Sequence, residues 1–127
     1  MNDSINRALS RGHRIDITTT GRASGEPRRI EIYFENIDGR IFISGMPNAA
    51  RKRHWLRNLE IDPRMTFHLK GPVKADLPAT ARVIEDPVER RPIIERFAAT
   101  WKYPLEPMLA HSPLIEVVLD EGAIAAA

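Results

Sequence analysis

Apolar residues alternate with polar ones through several short stretches of the chain, the period of a strand with one buried face. Ile15, Ile17 and Thr19 fall on one face and Asp16 and Thr18 on the other. Ile30, Ile32 and Phe34 are expected to point inward, with Glu31, Tyr33 and Glu35 outward. Asp38-Gly39 then marks a tight hairpin, because glycine accepts the positive φ such a turn needs, and a third strand runs from Arg40 to Gly45. Met65, Phe67 and Leu69 form the inward set of a fourth strand. Val73 to Glu85 reads as a long fifth strand, with Pro78 at an edge, bulge or bend because it cannot donate to a ladder. Ile115, Val117 and Leu119 share a face in a last strand from Leu114 to Leu119.

The pattern shifts to a helical period in other places. Asp3 or Ser4 can cap a short helix through Leu9, closed by Gly12. Asn48 is the expected cap of a helix from about Arg51 to Ile61, with Trp55, Leu56 and Leu59 as its apolar stripe and Asp62-Pro63 as its stop. A further helix starts at Asp86, has Pro87 in its first turn, and places Ile94, Phe97, Ala98 and Trp101 on one face. Pro104 and Pro107 are expected to end it. The order β-β-β-α-β-β-α-β favours a mainly β (α+β) fold, a small antiparallel barrel of about six strands with two or three flanking helices. We expect one domain over residues 1–127, with 1–13 an N-terminal helix or arm and 120–127 a tail.

With 43% hydrophobic and 28% charged residues, the chain has the composition of a globular protein. There is no cysteine, which excludes disulfides, thiolate metal sites and thiol nucleophiles. No apolar run approaches the roughly 20 residues of a membrane-spanning helix, and the N-terminus lacks a signal-peptide pattern, so a cytoplasmic protein without an integral membrane segment is expected. The net charge is only +2, but between Arg11 and Arg57 there are ten Lys and Arg against five Asp and Glu. A surface of that kind attracts anionic ligands.

The stretch Thr18-Thr19-Thr20-Gly21-Arg22-Ala23-Ser24-Gly25-Glu26-Pro27-Arg28-Arg29 is the most informative. Its two glycines let backbone approach a ligand, and Arg22, Arg28 and Arg29 can bind phosphate or carboxylate bidentately; the bland alternative is a solvated hairpin loop. Arg51-Lys52-Arg53 falls in the first turn of the expected second helix, where cations oppose the helix dipole, a cost that recruitment of an anion would offset. His13, His54, His68 and His111 lack metal-ligand spacing, so no metal site is expected. No nucleophile elbow, P-loop or dinucleotide fingerprint is present. Trp55 and Trp101 suit a core better than a cofactor platform.

Ile17 through Arg28 resembles the T-T-x-G-R-x-[ST]-G-x-P-R opening of deazaflavin-dependent nitroreductases, members of the split β-barrel flavin/deazaflavin oxidoreductases. Asp38-Gly39-Arg40, Trp55-Leu56-Arg57-Asn58-Leu59 and Asp62-Pro63-Arg64-Met65-Thr66 are similar to that family in the same order, and Tyr103-Pro104 more weakly so. The resemblance implies a reductase that binds coenzyme F-420, a deazaflavin with a phosphate and an oligoglutamate tail. It implies hydride transfer to an electron-poor acceptor such as a quinone, enone or nitro compound. Arg28 would touch the anionic tail, with Arg22, Ser24, Arg29 and Arg51 as the other cationic or polar contacts. Ser44, Gly45 and Met46 would face the ring or its phosphate arm, Trp55 and Asn58 would stand beside it, and Tyr33 and Tyr103 would border the acceptor pocket. Two departures stand out: Ala23 where family members often carry lysine, and Met46-Pro47-Asn48-Ala49 in place of a Ser-Lys-Gly-Gly-type loop. Arg22, Arg29 or Arg51 are the available substitutes, and FMN is the alternative cofactor.

Three readings follow. The first is an F-420-dependent reductase acting on a small molecule, in which the cofactor does the chemistry and the protein positions it. The second is an FMN- or haem-binding relative on the same barrel. The third is a non-catalytic module binding a cofactor or lipid through the basic surface. Nucleic acid is not expected, since few aromatics interleave the arginines. A homodimer is left open.

Overall fold

A computed structural model of the chain describes residues 3–50 and 52–120. Its strands are β1 (Arg14–Thr20), β2 (Pro27–Ile37), β3 (Arg40–Ser44), β4 (Arg64–Leu69), β5 (Ala75–Val83) and β6 (Leu114–Leu119). They close into an antiparallel barrel in the order β1-β2-β3-β6-β5-β4. The helices are α1 (Asp3–Leu9), α2 (His54–Ile61), α3 (Pro87–Trp101) and α4 (Leu105–His111). Closure gives every strand a hydrogen-bonded neighbour on each side along at least part of its length.

The alternation read from the sequence fills the barrel. Ile15, Ile17, Phe34, Ile43, Phe67 and Ile115 are fully buried in one cluster, which Trp55, Leu56 and Leu59 of α2 plug from one end. A second cluster lies outside the barrel wall, where Phe42 and Leu114 pack with Ile84, Ile94, Phe97 and Met108 under α3 and α4. This outer layer explains why β3 is buried on both faces (Ile41 to Ser44) instead of alternating.

The β2–β3 hairpin turns at Asp38 (φ 53°) and Gly39 (φ 84°), two successive positive φ values that glycine and aspartate tolerate best. Pro78 lies inside β5, opposite Thr66 of β4, at the end of the ladder to β6, which begins at Ala79. Its carbonyl accepts from the Asp120 N–H at 3.0 Å, so its missing N–H points to the same place, just past β6, and costs no ladder bond.

Four expectations are corrected. The second helix starts at His54, not Arg51, with Arg53 as its N-cap residue in extended geometry; Asn48 instead accepts from the Ala50 N–H at 3.0 Å. Lys52 and Arg53 therefore precede the helix. Arg51 lies outside the described residues. The third helix ends at Trp101 with Lys102 in the left-handed region, and Pro104 and Pro107 do not terminate the helical stretch but open another helix. Pro107 falls in the first turn of α4, where no intrahelical N–H bond is lost. The fifth strand is shorter than expected, Ala75–Val83. Glu35 is buried, not outward, and Tyr33 is half-buried, because α3 and the α1–β1 turn cover that face of β2.

Candidate functional site

The barrel is split beside β2. Residues Pro27 to Tyr33 pair with β1, but β3 pairs only with Phe34 to Ile37. Past Ser44 the chain leaves the sheet and runs to α2, so the β3-side edge of β2 from 27 to 33 has no strand partner among the described residues. Backbone N–H and C=O groups on a free edge need partners from solvent or a ligand.

One end of the split is built by the arginine loop. The Gly21 N–H donates to the Glu26 carbonyl at 2.8 Å, and the Gly25 N–H to the Gly21 carbonyl at 2.8 Å, which folds the loop tightly with Gly25 at φ 73°. Arg22 docks on α2: its backbone N–H and guanidinium both donate to Asn58 Oδ1, at 3.2 and 2.9 Å, and its other nitrogen meets His54 Nδ1 at 3.2 Å. Asn58 is buried, and its Nδ2 donates to Thr19 Oγ1 at 3.1 Å. The sequence resemblance put Asn58 beside the cofactor; the geometry makes it the pin between loop, strand and helix. His54 was missed, although His54 and Asn58 at i, i+4 share one helix face.

Arg28 pairs across the ladder with Thr19, and cross-strand partners share a face, so Arg28 lies on the Asn58 side of the sheet. Among the described residues its side chain makes one long hydrogen bond, 3.4 Å to Ser24 Oγ, which also accepts from the Glu26 N–H at 3.1 Å. Arg28 has no carboxylate partner among the described residues, and an exposed guanidinium with spare donors suits an anionic tail. Arg29 points to the opposite face and is taken up by Asp16 at 2.9 Å, where Lys70 also binds Asp16 at 2.7 Å. Lys70 chiefly, with Arg29, holds the Asp16 carboxyl below its usual range.

The facing wall is Ser44-Gly45-Met46. Ser44 is buried and donates to the Pro113 carbonyl at 2.5 Å; Met46 is exposed. A Cβ on Gly45 would stand 2.7 Å from Arg53 Nε, so glycine lets the Arg53 guanidinium lie against the backbone, where it donates to the Met46 carbonyl at 2.7 Å. Arg53 thus places a cation at the loop that departs from the family pattern. Its spacing gave no signal of this. Trp55 is buried in the barrel core.

At the far end, Tyr33 meets Trp101 edge to face at 6.0 Å, which brings the end of α3, two residues before Tyr103, to β2. Tyr103 is 37% exposed. Burial first, and then the Glu35 carboxylate, raise the Tyr33 pKa, so its hydroxyl stays protonated as a donor. Trp101 was missed as a site neighbour because its helical spacing reads as core.

A cleft of about 970 Å³ lies on the other side of the Ser44–Arg53 segment, among Leu56, Glu60, Ile84, Arg90, His111 and Ser112. None of the expected site residues with described placements lines it. Among the described residues no cluster of three metal-ligating side chains occurs, and no helix is long and apolar enough to cross a membrane.

The free edge of β2 in an otherwise closed six-stranded barrel defines the class as a split-barrel protein, and solved structures share the fold. A conserved hypothetical protein from Mycobacterium tuberculosis superposes with a TM-score of 0.74 at 18% identity, over 95% of this chain and 81% of that one. A structure described as an F-420 reductase gives 0.68 at 17% identity, over 91% and 92%. A haem storage protein from Vibrio cholerae gives 0.69 at 16%, over 95% and 91%. The model of the F-420H(2)-dependent quinone reductase family matches residues 2–104, and the chain belongs to that family. It is an F-420-dependent oxidoreductase.

Proposed function

We propose that the enzyme passes a hydride from reduced F-420 to a quinone, with the cofactor lying along the split between the free edge of β2 and the Ser44–Arg53 segment. The observation that carries this reading is the unpaired Pro27–Tyr33 edge, which offers backbone groups to a flat heterocycle where a strand would otherwise pair. Arg28, with Ser24 and the docked Arg22, receives the anionic tail, and Ser44, Gly45 and Met46 flank the ring. F-420, when bound, supplies the hydride from its reduced ring. The chain holds it, excludes water with the α2 plug, and positions the acceptor. Tyr33 and Tyr103 border the acceptor, each with an apolar face for a flat molecule and a hydroxyl for its oxygen. Hydroxyl donors address a quinone carbonyl more directly than a nitro group, which makes nitroreduction the secondary activity. The enzyme works in the cytoplasm on a small molecule.

Titration of F-420 fluorescence beside FMN, followed by turnover with a quinone and a nitroaromatic, tests the reading. F-420 is expected to bind more tightly than FMN, and the quinone to turn over faster. Tight FMN binding with no response to F-420 overturns it. Tyr103→Phe is expected to raise KM for the quinone and leave cofactor affinity intact; unchanged kinetics would remove Tyr103 from the site.

A further inference from the structure

The cleft behind the Ser44–Arg53 segment has no part in the reading above, yet two guanidinium groups on its wall, Arg53 and Arg90, have no carboxylate hydrogen-bond partner among the described residues, although Glu85 also lines it and acts on Arg90 through space. Lys52 and Glu60 on its wall satisfy one another at 2.7 Å. Arg53 and Arg90 do not find such partners: among the described residues both hydrogen-bond only to backbone carbonyls. Arg90 reaches the carbonyls of Leu109, Ile84, Met108 and Ser112 from a half-buried position. That burial presses its pKa down, with only the nearby Glu85 acting in the other direction. Two guanidinium groups thus border one cavity and hydrogen-bond to no carboxylate among the described residues.

Two polar atoms at the cleft are also left without partners. Ser112 is 5% exposed and its Oγ has no hydrogen-bond partner among the described residues; Arg53 Nε, a donor only, is buried and likewise unpaired among them. Buried polar atoms without partners are few in native proteins, and each destabilises the fold. The rest of the lining is mostly apolar: Leu56, Val83, Ile84, Leu109 and Leu114. At about 970 Å³ the cleft is large enough for a small organic ligand.

We propose that this cleft is a second binding site, separate from the cofactor split, for a small carboxylate carried on an apolar body. The carboxylate sits toward Arg53, Ser112 and Arg90, and the apolar body lies along Leu56, Ile84 and Leu109. A neutral amphiphile leaves the guanidinium charge uncompensated, whereas a polyanion has too little apolar surface for the remainder of the lining. The Ser44–Arg53 segment is the wall shared with the split.

Isothermal titration with decanoate, and with decanol as the uncharged control, tests the proposal on the full chain with and without saturating F-420. One decanoate is expected to bind per chain, at least about tenfold more tightly than decanol. Binding should persist with F-420 present. Ser112→Ala should weaken decanoate about tenfold while the melting temperature of the free protein holds or rises, because the lost hydroxyl has no partner to leave behind. Ala110→Trp, which fills the cleft, should abolish decanoate binding and leave the F-420 titration unchanged. Absence of decanoate binding overturns the proposal. So does equal binding of decanol, mutual exclusion with F-420, or indifference to Ser112→Ala.

Discussion

Gly12 lies between α1 and β1, and a Cβ there would stand 2.2 Å from the Phe34 carbonyl oxygen and 3.1 Å from both the Tyr33 hydroxyl and the Glu35 carboxylate. The first of these neighbours is backbone and cannot swing away. Gly12→Ala should therefore force α1 and β2 apart and cost about 1–3 kcal/mol, the usual range for overpacking. Urea unfolding measures it, and an unchanged midpoint would mean that the two elements separate freely. Arg28 poses the opposite case, a side chain with space around it and one long contact. Arg28→Ala should leave stability within about 0.5 kcal/mol, as for other surface changes. It should weaken F-420 by about 1.5–3 kcal/mol, the range for hydrogen bonds to charged groups. The two measurements together separate a ligand contact from a structural arginine; a loss of stability with unaltered affinity would assign Arg28 to the loop alone.

Between elements, the best-defined polar tie is at Glu116 on β6. It accepts from Arg40 of β3 twice at 2.9 Å and from Arg82 of β5 at 2.8 and 3.2 Å, while Arg82 also holds Glu89 of α3 at 3.0 and 2.6 Å. Arg40 first, then Arg82, lower the Glu116 pKa against the opposing effect of burial. A folded pKa below the unfolded value of 4.5 means stability that is present above pH 4.5 and is lost as pH falls toward the folded value. Glu116→Gln should therefore destabilise at pH 7 and flatten the acid limb below pH 4.5; a parallel acid limb in the variant would place the titrating group elsewhere. None of this cluster is visible in the sequence, because register alone brings Arg40, Arg82 and Glu116 together. The strands themselves were legible, since Ile15, Ile17, Met65 and Phe67 alternate against a single barrel core. β3 broke the rule where α3 and α4 cover its outer face, and Glu35 reads as outward but is buried where α3 and the α1–β1 turn cover β2. The fourth helix escaped because Pro107 reads as a breaker unless its place in a first turn is known. Of the candidate site, the loop's glycines and arginines were legible as a motif. The division of labour among them was not: Arg22 pins the loop to Asn58, Arg29 pairs with Asp16, and Arg28 has one long contact, to Ser24.

Across the whole molecule the charge is divided. Ten basic and five acidic residues lie between Arg11 and Arg57, yet the full chain carries only +2, so the remainder is net acidic. Part of the basic half is spent internally, as Arg29 with Asp16 and Lys52 with Glu60. Arg22 and Arg28, on the Asn58 side of the split, have no carboxylate partner among the described residues. Their uncompensated positive charge at that end draws in an approaching anion before contact. Steering acts on the association rate, and it fades as the Debye length shrinks from about 30 Å at 0.01 M salt to about 3 Å at 1 M. Stopped-flow binding of F-420 should therefore show an association rate that falls by at least about tenfold over that range, with a dissociation rate that changes less. Arg28→Ala should do the reverse, raising dissociation through the lost contact and changing association only modestly, because Arg22 still contributes to the field. FMN, with fewer charges than a deazaflavin bearing an oligoglutamate tail, should show the weaker salt dependence. An F-420 association rate flat in salt would mean that the tail does not approach along this loop, and the split would then have to be entered from the Tyr33 end.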